Sequence, residues 1–181
     1  MNCWKTINFN KDYGINRLYL LSFLIGLVSF VFLYVPFSII HGTVNLNEFG
    51  IIPLIIALLF LPTVHSFMHI LPLIMMYKRV KLTYKRKNLF FPIINYYTKK
   101  PLTKKVSLLV AIAPTLFITI PAGMATYMFV DYYVYFLLLT SIHIAMTFTD
   151  FLYLINISKA PKLSYVENSN DEFAILVKTQ N

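Results

Sequence analysis

Four ionisable side chains stand inside long apolar runs, where each must find a partner: His65, His69, His143 and Asp150. His65 and His69 lie four apart in VHSFMHI, one helical turn, so the two imidazoles share a helix face. An H-E-x-x-H helix presents two zinc ligands at this spacing, but Ser66 occupies the glutamate's place. A carboxylate such as Asp150 costs about 2.5–3.5 kcal/mol at the centre of a membrane helix. No Lys or Arg in the apolar runs is available to neutralise it. A metal ion, histidines, hydroxyls or protonation must do so. Two histidines of one helix and one carboxylate of another would make a three-ligand zinc site. A reading without metal competes with it: the histidine pair bonds across helices as packing glue, and a neutral Asp150 bonds to His65 or His69. Spacing alone leaves both open.

The elements that must position these residues are membrane spans. Of the 181 residues, 58% are hydrophobic and 13% charged, about half the charge of a soluble domain. The apolar residues fall into four runs, Leu18–Ile40, Ile51–Tyr77, Val106–Val130 and Tyr132–Ile157, each long enough to cross a hydrocarbon core of roughly 30 Å as a helix. The net charge of +9 resolves by location. Lys5, Lys11 and Arg17 precede the first run, ten basic residues lie between Lys78 and Lys105, and Lys159, Lys162 and Lys178 follow the fourth. All sixteen therefore lie on one side of a four-span chain. By the positive-inside rule that side is cytoplasmic.

The expected fold is thus an all-α membrane protein of four transmembrane helices with both termini inside. Residues 1–17 form a cytoplasmic N-tail, 18–157 the membrane domain with its 78–105 cytoplasmic loop, and 158–181 a cytoplasmic C-tail. The setting is a bacterial plasma membrane. One cysteine, Cys3, excludes an internal disulfide framework and a Cys-rich zinc motif.

Depth along the spans ties the candidate residues together. His69 lies nine residues before Lys78 and Asp150 nine before Lys159, and both helices run inward, so the two side chains sit at similar depth. His65 is one turn deeper than His69, and His143 two turns deeper than Asp150 on the same face. Prolines 53, 62, 72, 114 and 121 fall within the runs. Each removes a backbone donor, so a neighbouring helix or local unwinding must satisfy the carbonyl it frees.

In the basic loop, Val80, Leu82 and Tyr84 alternate with Arg79, Lys81 and Thr83, a strand period. The tail segment EFAILVK also favours a strand, so loop and tail are expected to share a small cytoplasmic β element. Basic residues interleaved with aromatics could mark a nucleic-acid patch. Ten positive charges flanking two spans are what an inside loop on anionic lipid shows, so the expected partner is lipid and no nucleic acid is expected.

From about Ile51 onward the chain resembles the putative zincin peptidases, small bacterial membrane proteins distantly similar to site-2 proteases. Their pattern is an intramembrane H-E-x-x-H, a basic connection, an alanine–proline element on the next helix, then Asn followed seven residues later by Asp, and a tail ending in a strand. HSFMH matches the first element, LLVAIAPTLF the second, SIHIAMTFTDFLYL the third and YVENSNDEFAILV the tail. The resemblance implies zinc as cofactor, with His65, His69 and Asp150 as its ligands. Two departures bear on activity. Ser66 replaces the general base, and a hydroxyl cannot take a proton from water near neutral pH. His143 replaces the Asn and is the one substitute base in view. The implied function is a metallopeptidase-like membrane protein with impaired catalysis, acting as a non-catalytic binder of membrane-embedded peptides or proteins. Its rivals are an active intramembrane metalloprotease using a non-standard base, and a membrane anchor or assembly protein with no metal site.

Overall fold

The computed structural model describes residues 1–42, 47–76, 80–85, 93–98, 101–169 and 172–177. The chain opens with strand β1 (Asn2–Ile7) and a π-helical turn, then enters α1 (Ile15–His41) and α2 (Ile51–Met75). The connection carries β2 (Val80–Lys85), β3 (Ile93–Thr98) and β4 (Leu102–Thr103). The next span is interrupted: α3 (Lys104–Pro114), a π-helical turn over Thr115–Thr119, then α4 (Ile120–Met128). It is followed by α5 (Tyr133–Met146), α6 (Phe148–Ser158), β5 (Ser164–Ser169) and β6 (Glu172–Val177).

Among the described residues, three helical stretches are long and apolar enough to cross a membrane: Lys11–His41, Glu48–Met75 and Lys104–Met128. A fourth results if α5 and α6, bent by 44° at Thr147, count as one span. The expectation of four continuous helices is therefore refined to three spans and a broken pair. Large apolar side chains face outward while several polar ones are buried. Phe23, Phe32 and Ile39 of α1 are exposed, whereas Ser107, Thr126, Ser141, His143 and Thr147 are buried. Only a solvent as apolar as lipid favours that arrangement, and small hydroxylated residues at helix contacts are characteristic of it. Two of the buried hydroxyls are satisfied within their own helices, Thr126 by the Ala122 carbonyl at 3.0 Å and Ser141 by that of Leu137 at 2.8 Å. The protein is a membrane protein on this evidence.

Close approach of α1 to α5 depends on Gly26. A Cβ there would lie 2.8 Å from that of Ala145 and 3.4 Å from the Ser141 carbonyl. Gly26→Val is expected to push the helices apart and lower stability by about 1–3 kcal/mol, the usual cost of overpacking, read by unfolding in mixed micelles.

At one end of the bundle the strands form an antiparallel sheet in the order β1-β6-β5-β4, while β2 and β3 pair separately. The sequence led us to expect loop and tail in one sheet. Among the described residues of the connection, only Leu102 and Thr103 pair with the tail, opposite Val166 and Tyr165, because β2 finds its partner within the same connection. The N-terminal strand was not foreseen. It pairs with β6, Ile7 opposite Phe173, and its only buried residue is Ile7, so it offers no alternating pattern to read. Ile7, Val166, Phe173 and Ile175 pack with Ile157 and Ala160, and Tyr153 lies against this cluster. The sheet thereby seats on α6. Lys104 at the start of α3 donates to the Ser158 and Ala160 carbonyls at 2.8 and 2.5 Å, capping the last turn of α6 as a cation does at a helix C-terminus. Leu73 of α2 packs with Leu102, Val106 and Val110. The three elements that carry the candidate site are thus held to one another.

Candidate metal centre

His65 and His69 project from α2 one turn apart, and Asp150 lies in the first turn of α6, just past the break at Thr147. The break itself is closed by the backbone: Thr147 N–H donates to the His143 carbonyl and Phe151 N–H to that of Thr147, each at 3.0 Å. The structure brings the three residues together. His65 Nε2 lies 3.3 Å from His69 Nε2. Asp150 presents one oxygen to each ring, Oδ2 at 3.4 Å from His65 Nε2 and Oδ1 at 3.4 Å from His69 Nε2. All three side chains are at least four-fifths buried, with exposures of 12, 15 and 17%.

These separations suit a metal. Zinc held at about 2.0–2.1 Å by tetrahedral ligands sets those ligand atoms roughly 3.3–3.4 Å apart. The donor set is two imidazoles and a carboxylate, and among the described residues these three form the group able to hold an ion. Three protein ligands leave one tetrahedral position open, the arrangement of catalytic rather than structural zinc sites. Asp150 Oδ2 is a buried oxygen without a hydrogen-bond partner, and a polar atom left so in an apolar setting is costly. A cation between the three groups would satisfy it.

Each imidazole is also held at its other nitrogen. His69 Nδ1 donates to the Val110 carbonyl at 2.8 Å. His65 Nδ1 lies 3.2 Å from His143 Nε2, and His143 Nδ1 lies 2.7 Å from Thr119 Oγ1. His143 thus sits behind the His65 ring, fully buried, with neither nitrogen facing Asp150 within hydrogen-bond reach. Ser66 Oγ donates to the Pro62 carbonyl of its own helix at 2.9 Å.

Sequence reasoning did not single out Val110 or Thr119. For Val110 a signal existed. Pro114, four residues on, cannot return the helical hydrogen bond to its carbonyl, so that carbonyl had to find another donor. Thr119 carried no comparable sign, because its position depends on the π-helical turn that follows Pro114.

Residues 58–165, well over half of the chain, match the family described as putative zincin peptidase. The matched stretch contains every residue of the site. No curated protein and no solved structure matches the chain.

Proposed function

The chain belongs to the putative zincin peptidase family, and we propose that it holds zinc with His65, His69 and Asp150 while Ser66 deprives it of efficient peptide hydrolysis. The observation that carries this reading is the approach of the two Nε2 atoms to 3.3 Å, each with one Asp150 oxygen at 3.4 Å, while Asp150 Oδ2 has no hydrogen-bond partner. Zinc in such a site supplies Lewis acidity, polarising a carbonyl and making bound water more acidic.

The residues of this chain do the rest. His65 and His69 offer lone pairs from Nε2, and Asp150 balances charge. Ser66 cannot accept a proton from water, and its hydroxyl is engaged with Pro62. His143 does not take over as base, since one nitrogen serves His65 and the other Thr119. What remains is a site able to engage a peptide carbonyl within the bilayer and unable to turn it over efficiently. Its partner on this reading is a membrane-embedded peptide or protein. The one-sided basic residues support cytoplasmic termini and a 78–105 connection lying on anionic lipid, in a bacterial plasma membrane.

Metal analysis of the purified, detergent-solubilised protein after zinc loading and desalting tests the reading. One zinc per chain is expected, and none in His69→Ala. Equal metal content in the two proteins, or none in the parent, would overturn it.

A further inference from the structure

We propose that the broken third span is the positioning element of this metal centre: Pro114 sets His69 by leaving the Val110 carbonyl free for it, and Thr119 sets His65 through His143. The inference rests on the zinc reading above and adds to it the residues that orient the ligands.

In an unbroken helix the Val110 carbonyl would accept the N–H of residue 114. That residue is proline and has none. The next donor along, Thr115 N–H, goes instead to the Ile112 carbonyl. The freed carbonyl faces α2 and takes His69 Nδ1 at 2.8 Å. A carbonyl can only accept, so the proton must be on Nδ1. Nε2, the nitrogen 3.3 Å from His65 Nε2 and 3.4 Å from Asp150 Oδ1, is then the one left to bind an ion. A backbone defect in one helix thereby selects the tautomer of a ligand on another.

The same defect reaches the second ligand. After Pro114 the chain widens into the π-helical turn, with Ile120 N–H returning to the Thr115 carbonyl. Thr119, at the end of this turn, places its hydroxyl 2.7 Å from His143 Nδ1, and His143 Nε2 stands 3.2 Å from His65 Nδ1. A hydroxyl donates or accepts equally well. The chain from Thr119 can therefore run in the direction that puts a proton on His65 Nδ1 and clears Nε2 for the metal. Each imidazole keeps one N–H and the threonine one O–H throughout, so no proton is gained or lost. Metal-binding histidines generally use their second nitrogen in this way, and loss of the partner weakens metal affinity about 10–100-fold. Here both partners trace to residues 110–119 of one span.

The test uses the full chain in nanodiscs, with zinc as the probe and two readouts. The first is the zinc Kd by chelator competition, and the second the ¹⁵N spectrum of histidine-labelled, metal-free protein, which distinguishes Nδ1–H from Nε2–H rings. Pro114→Ala supplies Val110 with the missing N–H. It is expected to weaken zinc binding about 10–100-fold and to move the His69 ring off its single Nδ1–H form. Thr119→Val is expected to weaken binding and disturb the His65 and His143 resonances, while Thr119→Ser restores both. A Pro114→Ala protein with parental Kd and parental His69 resonances would overturn the proposal, as would Thr119→Val indistinguishable from Thr119→Ser. If Pro114→Ala fails to fold, the threonine pair decides. A parent that binds no zinc defeats the metal reading instead, and the metal-free ¹⁵N spectra still decide whether the third span orients the rings.

Discussion

Ser66→Glu is expected to raise hydrolysis of a membrane-embedded reporter peptide by about 10²–10⁴-fold over the parent, the range a positioned general base contributes. The substitution returns a carboxylate to the position directly after His65, on a helix whose next turn carries His69. The parent hydroxyl is engaged with the Pro62 carbonyl, which in a helix also receives the backbone N–H of residue 66, so its removal strands no acceptor. Mass spectrometry of the products with zinc-loaded protein is the measurement, and adding His69→Ala to the variant should return the rate to background. A zinc-loaded variant no faster than the parent would show that more than the base has been lost. A parent already as fast as the variant would show that another group supplies the base, and the proposed impairment would be withdrawn.

Asp150→Leu should have opposite effects with and without metal. In the metal-free protein Asp150 Oδ2 is buried and without a hydrogen-bond partner, and replacing such a group by an apolar side chain of similar size often stabilises. We expect a gain of about 1–3 kcal/mol, the penalty of an unsatisfied buried polar atom. With zinc the order reverses. At free zinc a hundredfold above its Kd the parent gains about 2.7 kcal/mol from binding, whereas the variant has lost its anionic ligand and gains little. Thermal unfolding with and without zinc should show the two curves exchange places. A variant less stable than the parent in both conditions would mean that Asp150 is already satisfied without metal.

How far the site was legible depends on the kind of signal each residue left. His65, His69 and Asp150 were readable because charge marks the ends of spans, and counting from Lys78 and Lys159 places His69 and Asp150 at one depth. The structure brings these residues together. His143 was placed at a different level on the same face as Asp150. That spacing of two turns lets one span reach both nitrogens of the His65 ring. Val110 was hidden because its contribution is a backbone atom, which no residue type advertises. The proline was visible, but the partner of the carbonyl it frees depended on how α2 and α3 pack. The break at Thr147 had no proline or glycine to announce it. Of the fold, the apolar runs and the tail strand were evident, whereas β1 was not, since a mostly exposed edge strand needs no hydrophobic alternation.

The pairing of β1 with β6 has a consequence for biogenesis. Asn2 lies opposite Val177, so β1 leaves the ribosome ahead of α1 to α6 and must wait for its neighbour until they have been made. Such distant pairing is slow to form, because the entropy of closing the loop comes before any contact rewards it. The sheet seats on α6, and α6 carries Asp150. The carboxylate is therefore the last member of the His65, His69 and Asp150 group to be locked in place. A nascent chain exposes its histidine pair long before Asp150 is held beside it, so the three-residue group assembles only after the tail strands have been made.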